Sequence, residues 1–184
     1  MIAFETLHPV RLAELAGGEE RAGVIIGPVT AASWGLFAVG AYLAGRSARG
    51  IGVARTAVLA RLLNGAFVVA MGLAAGPVGL ITAFLASYTM HGAAGPMHSA
   101  LLHRQAGPAN RATVLSMNSM VAGGAYSLGL LALGPLAEHT STALAIVVAG
   151  AFSILGAVLY LPGRRQERIG YSGSTKDSSL THAV

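Results

Sequence analysis

Charged side chains fall along this chain in widely spaced groups, and the stretches between them are long and apolar. The 24 residues 22–45, between Arg21 and Arg46, carry no Asp, Glu, Lys or Arg. The next such stretches are the 42 residues 62–103, the 26 residues 112–137 and the 25 residues 139–163. A helix that crosses a bilayer needs about 20 predominantly apolar residues. The longest stretch is twice that, and Gly76-Pro77 divides it near the middle. Proline disfavours helix in the residue before it, so this dipeptide marks a tight turn between two helices. The pattern predicts an all-α polytopic membrane bundle with five full spans, at about 22–45, 56–75, 78–102, 112–136 and 141–162.

The two ends break the pattern. Residues 1–17 look helical but hold Glu5, Arg11 and Glu14, and at ~1.5 Å per residue they reach about 25 Å, short of a ~30 Å hydrocarbon core. They lack the basic start, apolar centre and small-residue cleavage site of a signal peptide. The expectation is a partial transmembrane helix, the outer part of one whose beginning is missing, followed by the five-helix bundle over 18–162. Residues 163–184 are polar and rich in Ser and Gly, and read as a disordered tail.

Composition agrees with a membrane location. Hydrophobic residues make up 54% of the chain, charged residues 10%, and the mean hydropathy is +0.64. Soluble domains carry about 25% charged residues, so this chain has too little polar surface to solvate a globule. It is also too apolar to be intrinsically disordered. With no cysteine, disulfide scaffolds and thiolate metal sites are excluded.

The net charge of +5 and the pI near 10.2 raise the question of nucleic acid, which the placement of the charges answers. Ten of the twelve Lys and Arg residues lie in alternate connections: Arg46, Arg49, Arg55 and Arg61, then Arg104 and Arg111, then Arg164, Arg165, Arg168 and Lys176. The intervening connections hold Glu19, Glu20 and Arg21, then no charge at Gly76-Pro77, then Glu138. Short basic loops favour the cytoplasmic side, opposite the anionic inner leaflet. The expectation is a multi-pass protein of the cell membrane with a cytoplasmic C-terminus. No basic-aromatic surface supports nucleic-acid binding.

Three stretches resemble the major facilitator superfamily (MFS) of secondary transporters. Asn110-Arg111-Ala112-Thr113-Val114-Leu115-Ser116, leading into Gly134-Pro135-Leu136-Ala137-Glu138, is similar to the eleventh helix of that family. Gly40 to Arg49, which includes Tyr42, Gly45, Arg46 and Ala48, is similar to the loop after the eighth helix, with Gly45 standing where the family has an acid. Glu5 to Gly17, with Pro9, Arg11 and Glu14, looks like the outer end of the seventh. The resemblance covers residues 4–165 and only the C-terminal half of a transporter. It implies a drug- or small-solute-efflux protein whose two halves rock about a midplane site, not an enzyme, and with no cofactor. Its partners would be the lipid bilayer, a small-molecule substrate and a missing N-terminal six-helix half. Arg46 and Arg49 would belong to a gating loop. The partial helix and the spans 22–45, 78–102 and 112–136 would line the cavity, with 56–75 and 141–162 peripheral. The alternative is a non-transporting membrane remnant or a helical assembly partner.

Polar and aromatic residues at mid-membrane depth supply the candidate site. Trp34 lies near the centre of its span, away from the interfacial belt where Trp is enriched. It shares a helical face with Thr30 and Phe37, and its indole suits either a substrate cavity or packing against a neighbouring helix. Tyr88, His91, Gly95 and His98 also recur on one face. A titratable group at that depth is a functional hypothesis by default, so His91 is read as a binding-wall residue or a proton relay. Tyr126 is the cavity candidate of span 112–136. These four, Trp34, Tyr88, His91 and Tyr126, form the expected substrate-binding set.

Other groups take structural readings. His91, His98 and His103 are spaced 7 and 5 apart, which does not converge imidazoles on a metal. No aspartate pair or Gly-x-Ser-x-Gly turn lies in the apolar spans. Gly123, Gly124, Ser127 and Gly129 are expected to let helices approach closely. Arg61, read as one turn into its helix, is expected to snorkel to the inner interface.

Overall fold

The computed structural model describes residues 3–162, and the expected tail at 163–184 lies outside the described residues. Every regular element among the described residues is helical. A π-helical turn, Ala3–Leu7, leads into α1 (His8–Ala16), which is followed by α2 (Glu19–Ile51), α3 (Val53–Leu73), α4 (Pro77–Gln105), α5 (Arg111–His139) and α6 (Thr142–Gly156). A 3-10 turn, Ala157–Tyr160, extends α6.

Two junctions depend on glycine. Gly17 and Gly18, at φ of 82° and 133°, reverse the chain between α1 and α2, in a backbone region that side chains disfavour. Gly52, at φ of 90°, is the sole break between α2 and α3. The segment 46–51, expected in a connection, is therefore helical, and α3 starts earlier than the spacing of charges suggests. Between α3 and α4, Pro77 occupies the first helical turn, where its missing N–H costs nothing.

Four segments are long and apolar enough to cross a membrane: α2, α3, α5, and α6 with its 3-10 turn. The expected fifth, α4, has the length, 29 residues or about 43 Å, but not the apolarity. Thr82, Ser87, Tyr88, Thr89, His91 and His98 dilute it, and the helix sits where those groups are tolerable, packed between α2 and α3. A polar residue inside a membrane bundle is kept where protein surrounds it.

The contacts are made by small residues. Gly40 of α2 lies against the Thr89 backbone of α4, and Gly92 of α4 against the Phe37 backbone of α2, with no room for a Cβ at either. On α3, Gly65 and Gly72 meet α6 the same way, and a Cβ on Gly150 would come 2.7 Å from the Val69 nitrogen. Close backbone approach replaces the hydrophobic drive that lipid cannot supply. One core cluster gathers Leu12, Val68, Met71, Leu80, Phe84 and Ile146. A second, built of Ala44, Ala57, Ala60, Ala93, Ala94 and Met97, lies towards the end of the bundle where α2 meets α3.

Asn64, buried on α3, donates from Nδ2 to the Ser87 carbonyl of α4 at 2.8 Å, and its Oδ1 accepts from Ser153 of α6 at 3.4 Å. Helix α5 is attached differently. It contributes no buried residue, and packs mainly along α6. Two polar bonds tie it to the rest: Tyr126 donates to Glu5 Oε2 at 3.1 Å, and Asn118 Oδ1 lies 3.0 Å from His98 Nε2.

Candidate functional site

Helix α4 is the wall on which two recesses meet. Its spacing of 88, 91 and 98 puts Tyr88, His91 and His98 along one stripe, as 3.6-residue periodicity dictates. Tyr88 lines the smaller recess, about 270 Å³, which is shared with Glu5, His8, Thr30, Ser33 and Trp34. His91 and His98 line the larger, an open recess of about 980 Å³ bordered by α3, α4, α5, α6 and the 3-10 turn. Drug-sized ligands occupy cavities of about 300–1,000 Å³.

The expected substrate-binding residues are distributed over both. Trp34 and Tyr88 face the smaller recess, and His91 and Tyr126 the larger. An aromatic chain joins the two. The ring of Trp34 stands edge-on to Tyr88 at 5.6 Å, Tyr88 lies 6.2 Å from His91, and Phe37 lies within 6.0 Å of all three. Tyr126 completes the set from α5 by reaching across to Glu5. Trp34 is 59% exposed, which disfavours a purely packing role within this chain.

Arg46 and Arg49 are elsewhere. Both are exposed in the last turns of α2, with Arg46 about 18 Å along the helix axis from Trp34. Arg49, in the final turn, favourably faces the negative end of the helix dipole.

Several site residues lie outside the expected set. The spans expected to be peripheral, α3 and α6, supply Arg61, Asn64 and Ser153 to the wall of the larger cavity. Arg61 is two turns, not one, into α3 because that helix begins at Val53; it borders the cavity where a snorkelling side chain was expected. His98 is held on both ring nitrogens, by Asn118 at Nε2 and by the Tyr160 hydroxyl at Nδ1, 3.1 Å away. The neutral tautomer with hydrogen on Nε2 satisfies both contacts. Gly123 and Gly124 on α5, expected at a helix contact, have open space around them.

His8 is a buried titratable group at the smaller recess. It is 1% exposed and stacks on Phe84 at 3.9 Å, and its Nε2 has no hydrogen-bond partner. The His8-Pro9 pair gives no warning of this in the sequence, because the stacking partner, Phe84, comes from α4. Beside it, Glu14 accepts from Arg11 at 2.8 Å and from the Thr142 hydroxyl, joining α1 to the start of α6.

Among the described residues no three His, Asp or Glu side chains converge as a metal site would require. The groups facing the larger cavity are a guanidinium, imidazoles, amides and hydroxyls, set in Leu, Val, Ala and Phe side chains. Such a wall can bind and orient a small molecule. Comparisons with family models, curated proteins and solved structures find no match for this chain.

Proposed function

We propose that this chain is the C-terminal half of an MFS-type secondary transporter, and that it carries a small solute or drug across the cell membrane together with a second six-helix half. The carrying observation is a contrast among glycines. Gly40, Gly65, Gly72, Gly92 and Gly150 are filled by neighbouring helices, whereas Gly27 and Gly35 of α2 and Gly123 and Gly124 of α5 have nothing within 4 Å. Small residues gain little by facing lipid and much by admitting another helix. Open notches are concentrated on the two candidate spans with the least burial, α2 and α5, beside exposed Trp34, Val39, Met120 and Val121, although Gly95 of α4 and Gly156 of α6 are open as well. A second helical body seated there would cover Trp34 and turn the recesses into an enclosed path.

On this reading Trp34, Tyr88, His91 and Tyr126 touch the solute, and Arg46 and Arg49 belong to the end that opens and closes. The arginine-rich connections and the C-terminus face the cytoplasm. The test uses the absence of native cysteine. A single cysteine at Gly27 or Gly124, in membranes of cells expressing the gene from its own locus, should cross-link to a second six-helix body. That body is either a continuation of the same polypeptide or a separate chain. Gly124→Leu should abolish the cross-link at Gly27 without reducing membrane insertion. Cysteines that react only with lipid-soluble reagents, and never with protein, would overturn the two-half reading.

A further inference from the structure

The larger cavity has an unusual charge balance. Its lining includes one full charge, Arg61, and no Asp or Glu. Arg61 is half-buried on α3, and among the described residues no carboxylate lies within ion-pair distance of it and no hydrogen bond engages it. Several of the neutral polar groups that line the same cavity already have hydrogen-bond partners. Asn64 bonds Ser87 and Ser153, Tyr160 bonds His98, and Tyr126 bonds Glu5. A cation beside apolar walls, with its neighbours committed elsewhere, is costly until a counter-charge arrives.

We propose that this cavity binds an amphiphilic anion, its carboxylate or phosphate head paired with the Arg61 guanidinium and its apolar body lying against α5 and α6. The inference rests on the solute-binding reading above and names the substrate class for the same site. Guanidinium offers a planar fork of donors that matches a carboxylate or a phosphate bidentately. The α5 and α6 residues Leu128, Ala132, Val148 and Phe152 in the same lining offer no side-chain donor and favour hydrocarbon. Neutral solutes gain at most a weaker, uncharged hydrogen bond from Arg61, and cationic ones are repelled by it. The head belongs either to a soluble organic acid or to an anionic lipid, and the recognition chemistry is the same.

The experiment measures binding of three probes that share one apolar body, 2-naphthoate, 2-naphthylmethanol and 2-naphthylmethylammonium. The full chain is held in phosphatidylcholine nanodiscs, with protein-free discs as the blank. Naphthoate should bind saturably and at least tenfold tighter than either analogue. Arg61→Gln should erase that preference, and Arg61→Lys should keep most of it, within about fivefold, because it keeps the charge. Adding phosphatidate to the discs identifies the source: competition with naphthoate assigns the head to a lipid, and no competition assigns it to a soluble acid. Equal affinity for naphthoate and naphthylmethanol, or an unchanged preference in Arg61→Gln, would overturn the inference while leaving a solute cavity in place. Failure of all three probes to bind saturably would overturn the solute-site reading as well.

Discussion

Asn64 and Trp34 are the side chains whose placement matters most for this bundle. Asn64 engages both neighbouring helices of α3, and a hydrogen bond within a membrane protein contributes about 0.6 kcal/mol on average. Its value lies as much in fixing the register of three helices as in that energy. Trp34 is anchored differently, by ring contacts with Phe37 and Tyr88, while more than half of its surface stays open. Edge-to-face pairs of this kind contribute about 0.5–1.5 kcal/mol. Trp34→Leu keeps an apolar volume but removes the stacking surface and the N–H donor. On the proposed transport reading, the apparent substrate affinity of the assembled protein should weaken by about 1–2 kcal/mol, roughly 5- to 30-fold, with the inserted amount unchanged. Unaltered transport kinetics at normal expression would mean that the indole only packs helices together.

At the scale of elements, the helices themselves are legible from the gaps between charges, because a charge within hydrocarbon is expensive and the gaps mark where it is avoided. Two features escape that logic. Gly52 ends α2 with a backbone angle, and the arginines around it look like a loop although they ride on helix to Ile51. That shift moves Arg61 a turn deeper than its distance from the expected helix start implies. The other is α4, whose polar residues lower its hydropathy because it is wedged between α2 and α3. Here a polar stripe reports the inside of a bundle. The register of Tyr88 with His91 is legible from spacing alone. Their ring contacts to Phe37 of α2 depend on the α2–α4 crossing, which no local pattern encodes.

That crossing supplies a prediction. Gly40→Leu places a side chain where the Thr89 backbone lies and backbone cannot yield as a side-chain tip can. It should cost about 3 kcal/mol, a fall in Tm of roughly 6–12 °C for a chain of this size. Gly27→Leu on the same helix meets open space and should leave the Tm of the isolated chain unchanged. Thermal unfolding of the two variants in one detergent decides the matter. Equal Tm values for both would show that the α2–α4 contact is looser than its geometry implies.

On the scale of the whole molecule, the bundle is unevenly consolidated. Helices α2, α3, α4 and α6 form one body, with glycine contacts joining α2 to α4 and α3 to α6, α3 packed on α4, and α2 also presenting an open side. Helix α5 lies along the edge of that body without a buried residue, tied by Tyr126 to Glu5 and by Asn118 to His98. Polar ties to an otherwise exposed helix suit an element that moves, because such bonds are individually weak in membranes. Both faces that lack neighbours, on α2 and α5, border the recesses that hold the aromatic and cationic groups. On the proposed reading, a body of this form would bind a solute on one side, and presenting it alternately to two compartments would require an opposing wall.

The most direct measurement is therefore flux through the chain alone. Residues 1–184, purified and reconstituted as the sole protein in liposomes, should bind naphthoate but move it no faster than protein-free vesicles. Saturable uptake or efflux by those liposomes, abolished by Trp34→Leu, would contradict the account, because a complete transport path would then exist within this one chain.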